Sequence, residues 1–233
     1  FLGVGIDGAF AEYVTVEAAR LFKIPDNVTQ RQAVLAEPLA CGIHSTRLLG
    51  DITGQDVVIS GPGIIGLACF FAAKFAGAGR ILVSGVGKAR KELIEKYGGT
   101  YFDVKDGNLV DAVREWSDGK MAGVVYECVG SQRTLDDCIN VMKPCAKLMV
   151  MGVFEKSPVF PMNLFQEAER EMYTSQAHVD EIGIALKYIS EGKIDTEELI
   201  TREVTLDTLV QDGFEELIAN GPQHIKVVIK INP

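Results

Sequence analysis

Four short stretches of the chain are mainly apolar, with charged residues only at their ends, at residues 56–60, 80–84, 122–127 and 147–151. Helical segments lie between them, at 64–75, 88–97, 108–116 and 134–142. A strand that is apolar throughout, rather than at every second residue, is one buried on both faces. Regular alternation of such strands with helices is what a parallel sheet covered on both sides requires. The pattern therefore predicts an α/β fold with a doubly wound parallel sheet.

The flanks read differently. Residues 1–36 are rich in turns, with one alternating stretch at 9–16 expected to be a strand and a turn at Lys23-Ile24-Pro25-Asp26-Asn27. Residues 30–50 read as helical, and Pro38 should end or kink that helix at Glu37. From 176 onward come an amphipathic helix over 179–191 closed by Gly192, and a second over 207–219 with Asp207 as its cap and Gly221-Pro222 as its stop. A last strand covers 225–231. This tail does not continue the strand–helix alternation. It is grouped with the opening segment, giving one domain from 1–36 and 176–233 and another from 37–175.

Composition narrows the function classes. With 47% hydrophobic and 24% charged residues, the 233-residue chain can bury a sizeable core. Its net charge of −9 argues against nucleic acid as a partner, since phosphate binding needs a basic surface. No apolar run reaches the roughly 18 residues of a membrane span, and the first residues lack the pattern of a secretion signal. Five cysteines, an odd number without close pairing, suit reduced thiols and a cytoplasmic location.

The candidate chemistry begins at Gly61-Pro62-Gly63-Ile64-Ile65-Gly66, directly after the first apolar strand and at the start of a long helix. In that setting Gly61 permits a tight turn, Gly63 lets backbone approach a pyrophosphate, and Gly66 lets helix and sheet pack closely. The free N–H groups and positive end of the helix would hold the phosphates of a nicotinamide dinucleotide. The second strand ends in Gly85, with no carboxylate to bind the adenosine ribose. Lys88 and Arg90 follow, either as solvated charges or as partners for a 2′-phosphate. NAD and NADP both remain open, with the balance towards NADP. Two further strand ends, Cys128-Val129-Gly130 and Gly152-Val153, should line the nicotinamide, because open α/β sheets bind ligands at the carboxyl ends of their strands.

Several segments stand together in a familiar order: Asp7-Gly8-Ala9-Phe10-Ala11-Glu12-Tyr13, Lys23-Ile24-Pro25-Asp26-Asn27, Ala36-Glu37-Pro38-Leu39, the glycine loop, and Ile225-Lys226-Val227-Val228-Ile229. Together they resemble the zinc-type polyol, butanediol and threonine dehydrogenase branch of the medium-chain dehydrogenase/reductase superfamily. The resemblance implies a Rossmann nucleotide domain with parts of a β-rich, chaperonin-10-like catalytic domain around it. It implies that Glu37 lies at a catalytic zinc and that Lys226 reaches the cofactor pyrophosphate. It also implies a small-molecule secondary alcohol as substrate, and a homodimer or homotetramer formed through the Rossmann domain.

One departure is large. The family's zinc cysteine, its Gly-His-Glu segment and its four-cysteine structural lobe precede the segment that here begins at Asp7. His44, His178 and His224 do not match the missing ligands, and Cys41 is either a sulfur donor beside Glu37 or a small buried side chain. The chain is thus expected to be part of a zinc-assisted alcohol dehydrogenase, to bind cofactor, and to lack turnover by itself. The alternatives are a zinc-independent reductase of the same superfamily and a non-catalytic NAD(P)-binding protein.

Overall fold

The computed structural model describes residues 2–231. Ahead of the sheet stand a single helical turn, Gln30–Ala33 (α1), closed by a reciprocal capping box between Thr29 and Gln32, and a longer helix, Ala36–Leu48 (α2). The expectation that Pro38 ends a helix is corrected. Pro38 sits in the first turn of α2, where its missing N–H has no intrahelical acceptor to lose, and the break falls earlier, between the two helices.

The alternation then follows in order: Val57–Ser60 (β1), Ile64–Phe75 (α3), Ile81–Gly85 (β2), Lys91–Lys96 (α4), Thr100–Asp103 (β3), Leu109–Trp116 (α5), Ala122–Glu127 (β4), Gln132–Asn140 (α6), Met142–Val150 (β5), Met162–Glu167 (α7) and Glu171–Thr174 (β6). All six strands are parallel, in the order β3-β2-β1-β4-β5-β6. The chain direction across the sheet reverses between β1 and β4, which opens a crevice at the carboxyl edge. Ser60, Ser84 and Glu127 are in register at that edge.

Val58, Leu82, Val125 and Leu148 from the inner strands pack with Val113, Leu135, Ile139 and Phe165 from the covering helices. Each such side chain contributes roughly 1.5–3 kcal/mol by leaving water. Asn108 caps α5 through the N–H groups of Val110 and Asp111, and Ser131 with Thr134 forms a capping box on α6. The apolar pattern does not reveal β3 and β6. Both are edge strands with partly exposed faces, so their sequences mix polar and apolar residues.

Contacts divide the chain into two units, one of Glu37–Ala185 and one formed by the residues up to Ala36 with those from Leu186 onward. The sequence puts the second break at 175/176, after β6; in the structure it lies later, inside Ile182–Ser190 (α8). The smaller unit contains Ile200–Thr205 (β7), Glu216–Asn220 (α9) and Lys226–Lys230 (β8), with β7 and β8 paired in parallel. Arg31 ties its two chain segments together by ion pairs to Glu197 at 2.8 Å and to Glu203.

Two expectations in this unit are corrected. Residues 9–16 form no strand: an alternating pattern specifies a face, but a strand also needs a neighbouring edge to bond, and among the described residues none pairs with it. Tyr13 is accordingly 91% exposed. Asp207 does not cap a helix; a π-helical stretch, Leu209–Glu215, starts after Thr208 and runs into α9. Gly221 and Pro222 open a further tight turn rather than a plain stop.

Candidate cofactor site at the carboxyl edge of the sheet

The glycine turn joins β1 to α3, and each glycine has its own physical reason. Gly61 adopts φ +100°, and its N–H donates to the Ser84 carbonyl at 2.9 Å. A Cβ on Gly66 would stand 1.8 Å from the Gly61 carbonyl oxygen, so only glycine lets the turn close on the helix. Gly63 is different: its backbone is extended, and a Cβ there would meet nothing within 4 Å. It faces open space at the start of α3. The first intrahelical bond runs from Leu67 N–H to the Gly63 carbonyl, so helix geometry leaves the N–H groups of Ile64, Ile65 and Gly66 without intrahelical acceptors. An open backbone crossing with unpaired donors is a fitting cradle for a pyrophosphate.

The ends of β2 and β4 meet this turn, and the end of β5 meets that of β4. Cys128 N–H donates to the Ser60 carbonyl at 2.9 Å, and a Cβ on Gly61 would lie 2.6 Å from the Val129 side chain. Gly130, at φ +85°, fits against Val153, whose carbonyl oxygen a Cβ would approach to 2.3 Å; a Cβ on Gly152 would come within 2.2 Å of the Gly130 nitrogen. The loops after β4 and β5 therefore touch backbone to backbone, with Val129 and the 85% exposed Val153 on the outside. Glu127, which the sequence marks only as the end of a strand, organises both through its side chain and its carbonyl. Its carboxylate accepts from Val129 N–H (3.0 Å), Gly130 N–H (2.9 Å) and the Thr134 hydroxyl (2.7 Å). Its carbonyl accepts from Met151 and Gly152 at 2.8 and 3.0 Å. The available signal was a charged residue ending a fully apolar run.

The end of β2 is more crowded than its sequence suggests. A Cβ on Gly85 would lie 2.5 Å from the Pro62 ring and 2.8 Å from the Tyr101 hydroxyl, so Gly85 supports the glycine turn from below. The next turn is held by Asp103, which accepts from Gly87 N–H at 3.0 Å and Lys105 N–H at 3.1 Å, and by Tyr101, which donates to the Gly87 carbonyl. The Lys105 N–H bond, ahead of that from Gly87, holds the Asp103 carboxyl below its ordinary range. Of the two cations singled out above, Lys88 is exposed and paired with Asp106 at 3.7 Å. Arg90 is only 9% exposed and, among the described residues, has no hydrogen-bond acceptor or carboxylate partner. Burial lowers its pKa.

Glu37 is exposed on α2 and accepts from the Cys41 thiol at 3.4 Å. Burial first, and then Glu37, push that thiol up to about 12, so Cys41 is a protonated side chain packed in the core rather than a thiolate donor. Among the described residues no group of three or more His, Cys, Asp or Glu side chains is placed to hold a metal ion. His44 serves Glu181 instead, at 3.2 Å, alongside Arg47 at 2.9 Å. His224 binds Glu216 at 2.9 Å in the smaller unit, where Lys226 opens β8. All five cysteines are unbridged. No described helix is long and apolar enough to cross a membrane.

A doubly wound parallel sheet in which a glycine turn and three further strand ends converge where the strand order reverses defines a dinucleotide-binding type of domain. The model of the zinc-binding dehydrogenase family matches residues 65–190, more than half of the chain, and the chain belongs to that family. It is 28% identical over 235 aligned residues to (R,R)-butanediol dehydrogenase of Neisseria gonorrhoeae, covering 100% of this chain and 66% of that protein. The crystal structure of 2R,3R-butanediol dehydrogenase from Bacillus subtilis superposes with a TM-score of 0.91 at 27% identity, over 100% of this chain and 67% of the other. A putative zinc-binding dehydrogenase from Sinorhizobium meliloti, solved bound to NADP, gives a TM-score of 0.87 at 27% identity, over 98% and 68% of the two chains. The chain thus spans about two thirds of the length of these relatives.

Proposed function

We propose that the unit Glu37–Ala185 binds NAD(P) along the carboxyl edge of its sheet, and that the protein transfers a hydride between a small secondary alcohol and that cofactor. The observation that carries this reading is one edge that holds the open Gly63 crossing, the packing of Val129 on Gly61, and the backbone contact of Gly130 with Gly152 and Val153. When bound, the nicotinamide ring accepts or releases the hydride. The chain's own residues bind and orient it: Gly61, Pro62, Gly63, Ile64, Ile65 and Gly66 at the pyrophosphate, and Cys128, Val129, Gly130, Gly152 and Val153 along the ring. Calorimetric titration of the chain with NADP and NAD, without added metal, should give saturable binding. No binding of either would overturn the reading.

Between the two cofactors the proposal favours NADP. Arg90 carries a buried charge with no partner among the described residues beside the turn after β2, and a 2′-phosphate is the dianion that would satisfy it. Gly85 supports the turn rather than forming the pocket, so an acidic substitution there would damage the glycine turn as well as repel phosphate. Arg90→Gln is the cleaner test. It should weaken NADP by about 10- to 100-fold, the range of a charge-assisted hydrogen bond, and leave NAD within about threefold. Equal losses for both would assign Arg90 to packing.

For the metal, Glu37 is proposed as one oxygen donor. The described residues do not supply the three-ligand set that a catalytic zinc site uses, and no step is derived through the ion. Metal analysis of the 233-residue chain after dialysis is therefore expected to find far less than one zinc per chain, and no alcohol oxidation. One firmly held zinc would contradict this. The open edge of β6, with Met172 and the nearby Val159, Met162 and Leu164 exposed, is the proposed seat of a second copy of the chain. Five unbridged cysteines fit a reducing compartment, and the proposal places the protein in the cytoplasm.

A further inference from the structure

Glu127 is completely buried (0% exposed), yet it is a charged residue at the edge where the cofactor is proposed to lie. Every hydrogen bond its side chain makes is as an acceptor. Val129 N–H reaches one oxygen at 3.0 Å, Gly130 N–H reaches the two oxygens at 2.9 and 3.1 Å, and the Thr134 hydroxyl comes to 2.7 Å. Its carboxylate is thus held by neutral groups alone. Among the described residues no Lys, Arg or His pairs with it. Glu181, another enclosed carboxylate in this unit, has both His44 and Arg47. A buried charge answered only by neutral donors keeps a large part of its field, because the surrounding dielectric is low.

That field is open towards one side. Beneath Glu127 lie the Cys138 thiol, which donates to the Tyr126 carbonyl, and the apolar core. Above it are the loops after β4 and β5. An added Cβ on Gly152 would stand 2.4 Å from the carboxylate oxygen, so the carboxylate touches a residue with no side chain to screen it. Gly130 likewise places none in the way.

We propose that Glu127 is a positioning and specificity-determining residue: it holds the two loops, and its uncompensated charge favours the oxidised, cationic nicotinamide over the neutral reduced ring. The inference rests on the cofactor reading above. A charge interaction reduced by a partly wet site to about 0.7–1.4 kcal/mol changes an equilibrium constant roughly three- to tenfold.

The test is the ratio of dissociation constants for the oxidised and reduced forms of one cofactor, measured by calorimetry on the wild-type chain, Glu127→Gln and Glu127→Asp. Thermal unfolding of each checks that it folds. Loss of loop positioning weakens both forms together and leaves the ratio alone; loss of charge weakens the oxidised form more. Glu127→Gln is expected to move the ratio against the oxidised form by roughly three- to tenfold. Glu127→Asp, which draws the charge back by one methylene, should move it the same way by less, and it decides the matter if the Gln variant does not fold. A ratio unchanged in the folded variants would overturn the inference while leaving the cofactor site standing. Failure of the wild-type chain to bind either form would remove the cofactor reading and this inference with it.

Discussion

A Gly66→Ala chain is expected to lose about 3 kcal/mol of stability, while a Gly63→Val chain keeps its fold and loses its cofactor. The two positions belong to one motif but meet different surroundings. At Gly66 a methyl group would sit 1.8 Å from the Gly61 carbonyl oxygen and 3.0 Å from its carbon. Both atoms are backbone in a turn that Ser84 and Val129 already hold, so no side chain can rotate away, and the strain enters the β1–α3 junction itself. At Gly63 an added Cβ meets nothing within 4 Å, and valine at this helix cap should cost no more than about 1 kcal/mol. Its branched carbons would instead occupy the space proposed for the pyrophosphate. Urea unfolding of both variants, beside cofactor titration, separates the two effects. If Gly63→Val bound NADP and NAD as the unaltered chain does, the phosphate path would lie elsewhere. If Gly66→Ala unfolded at the same urea concentration as the parent, the close packing of turn on helix would be wrong.

Acid is expected to remove about 3 kcal/mol of stability through Glu181 alone. This carboxylate is 4% exposed, and burial by itself would raise its pKa. The Val179 N–H at 2.8 Å, His44 at 3.2 Å and the Asp180 N–H at 3.0 Å outweigh burial, and the carboxyl is held at about 2 against an ordinary 4.5. Arg47 adds an ion pair at 2.9 Å. Because the folded pKa is the lower one, the folded state gains from the ionised form. The stabilisation is complete above about pH 4.5 and is lost as pH falls from there towards 2. Glu181→Gln should therefore be about 2–3 kcal/mol less stable than the parent at pH 7, with the gap closing below pH 4. Urea midpoints measured from pH 7 to pH 3 would show it. A gap of constant size over that range would mean that the residue contributes through shape and hydrogen bonding rather than through its charge.

How much of this was legible in the chain follows from which forces act locally. The inner strands and the helices between them could be read directly, since a strand buried on both faces must be apolar throughout, and β4 was anticipated at its observed ends. The glycine turn could be read because close approach leaves no alternative to glycine at Gly61 and Gly66. The edge strands β3 and β6 could not, because half of each faces away from the core and its sequence is free to vary. The strand expected at 9–16 failed for the converse reason. Alternation was present, but a strand is completed by a neighbour that the local sequence does not specify.

Sequence by itself therefore determined the class of the sheet, the position of the glycine turn, and the segments that mark the family, all of them set by short-range sterics and by burial along one stretch of chain. Tertiary structure decided which charges have partners. Lys88 and Arg90 look alike in the sequence, yet one reaches Asp106 while the other is enclosed with no partner among the described residues. Glu127 and Glu181 are both buried carboxylates, but Glu181 is met by His44 and Arg47, far from it along the chain, and Glu127 only by neutral donors next to it. Whether a charge is neutralised depends on what folds against it from distant segments, and no local pattern encodes that.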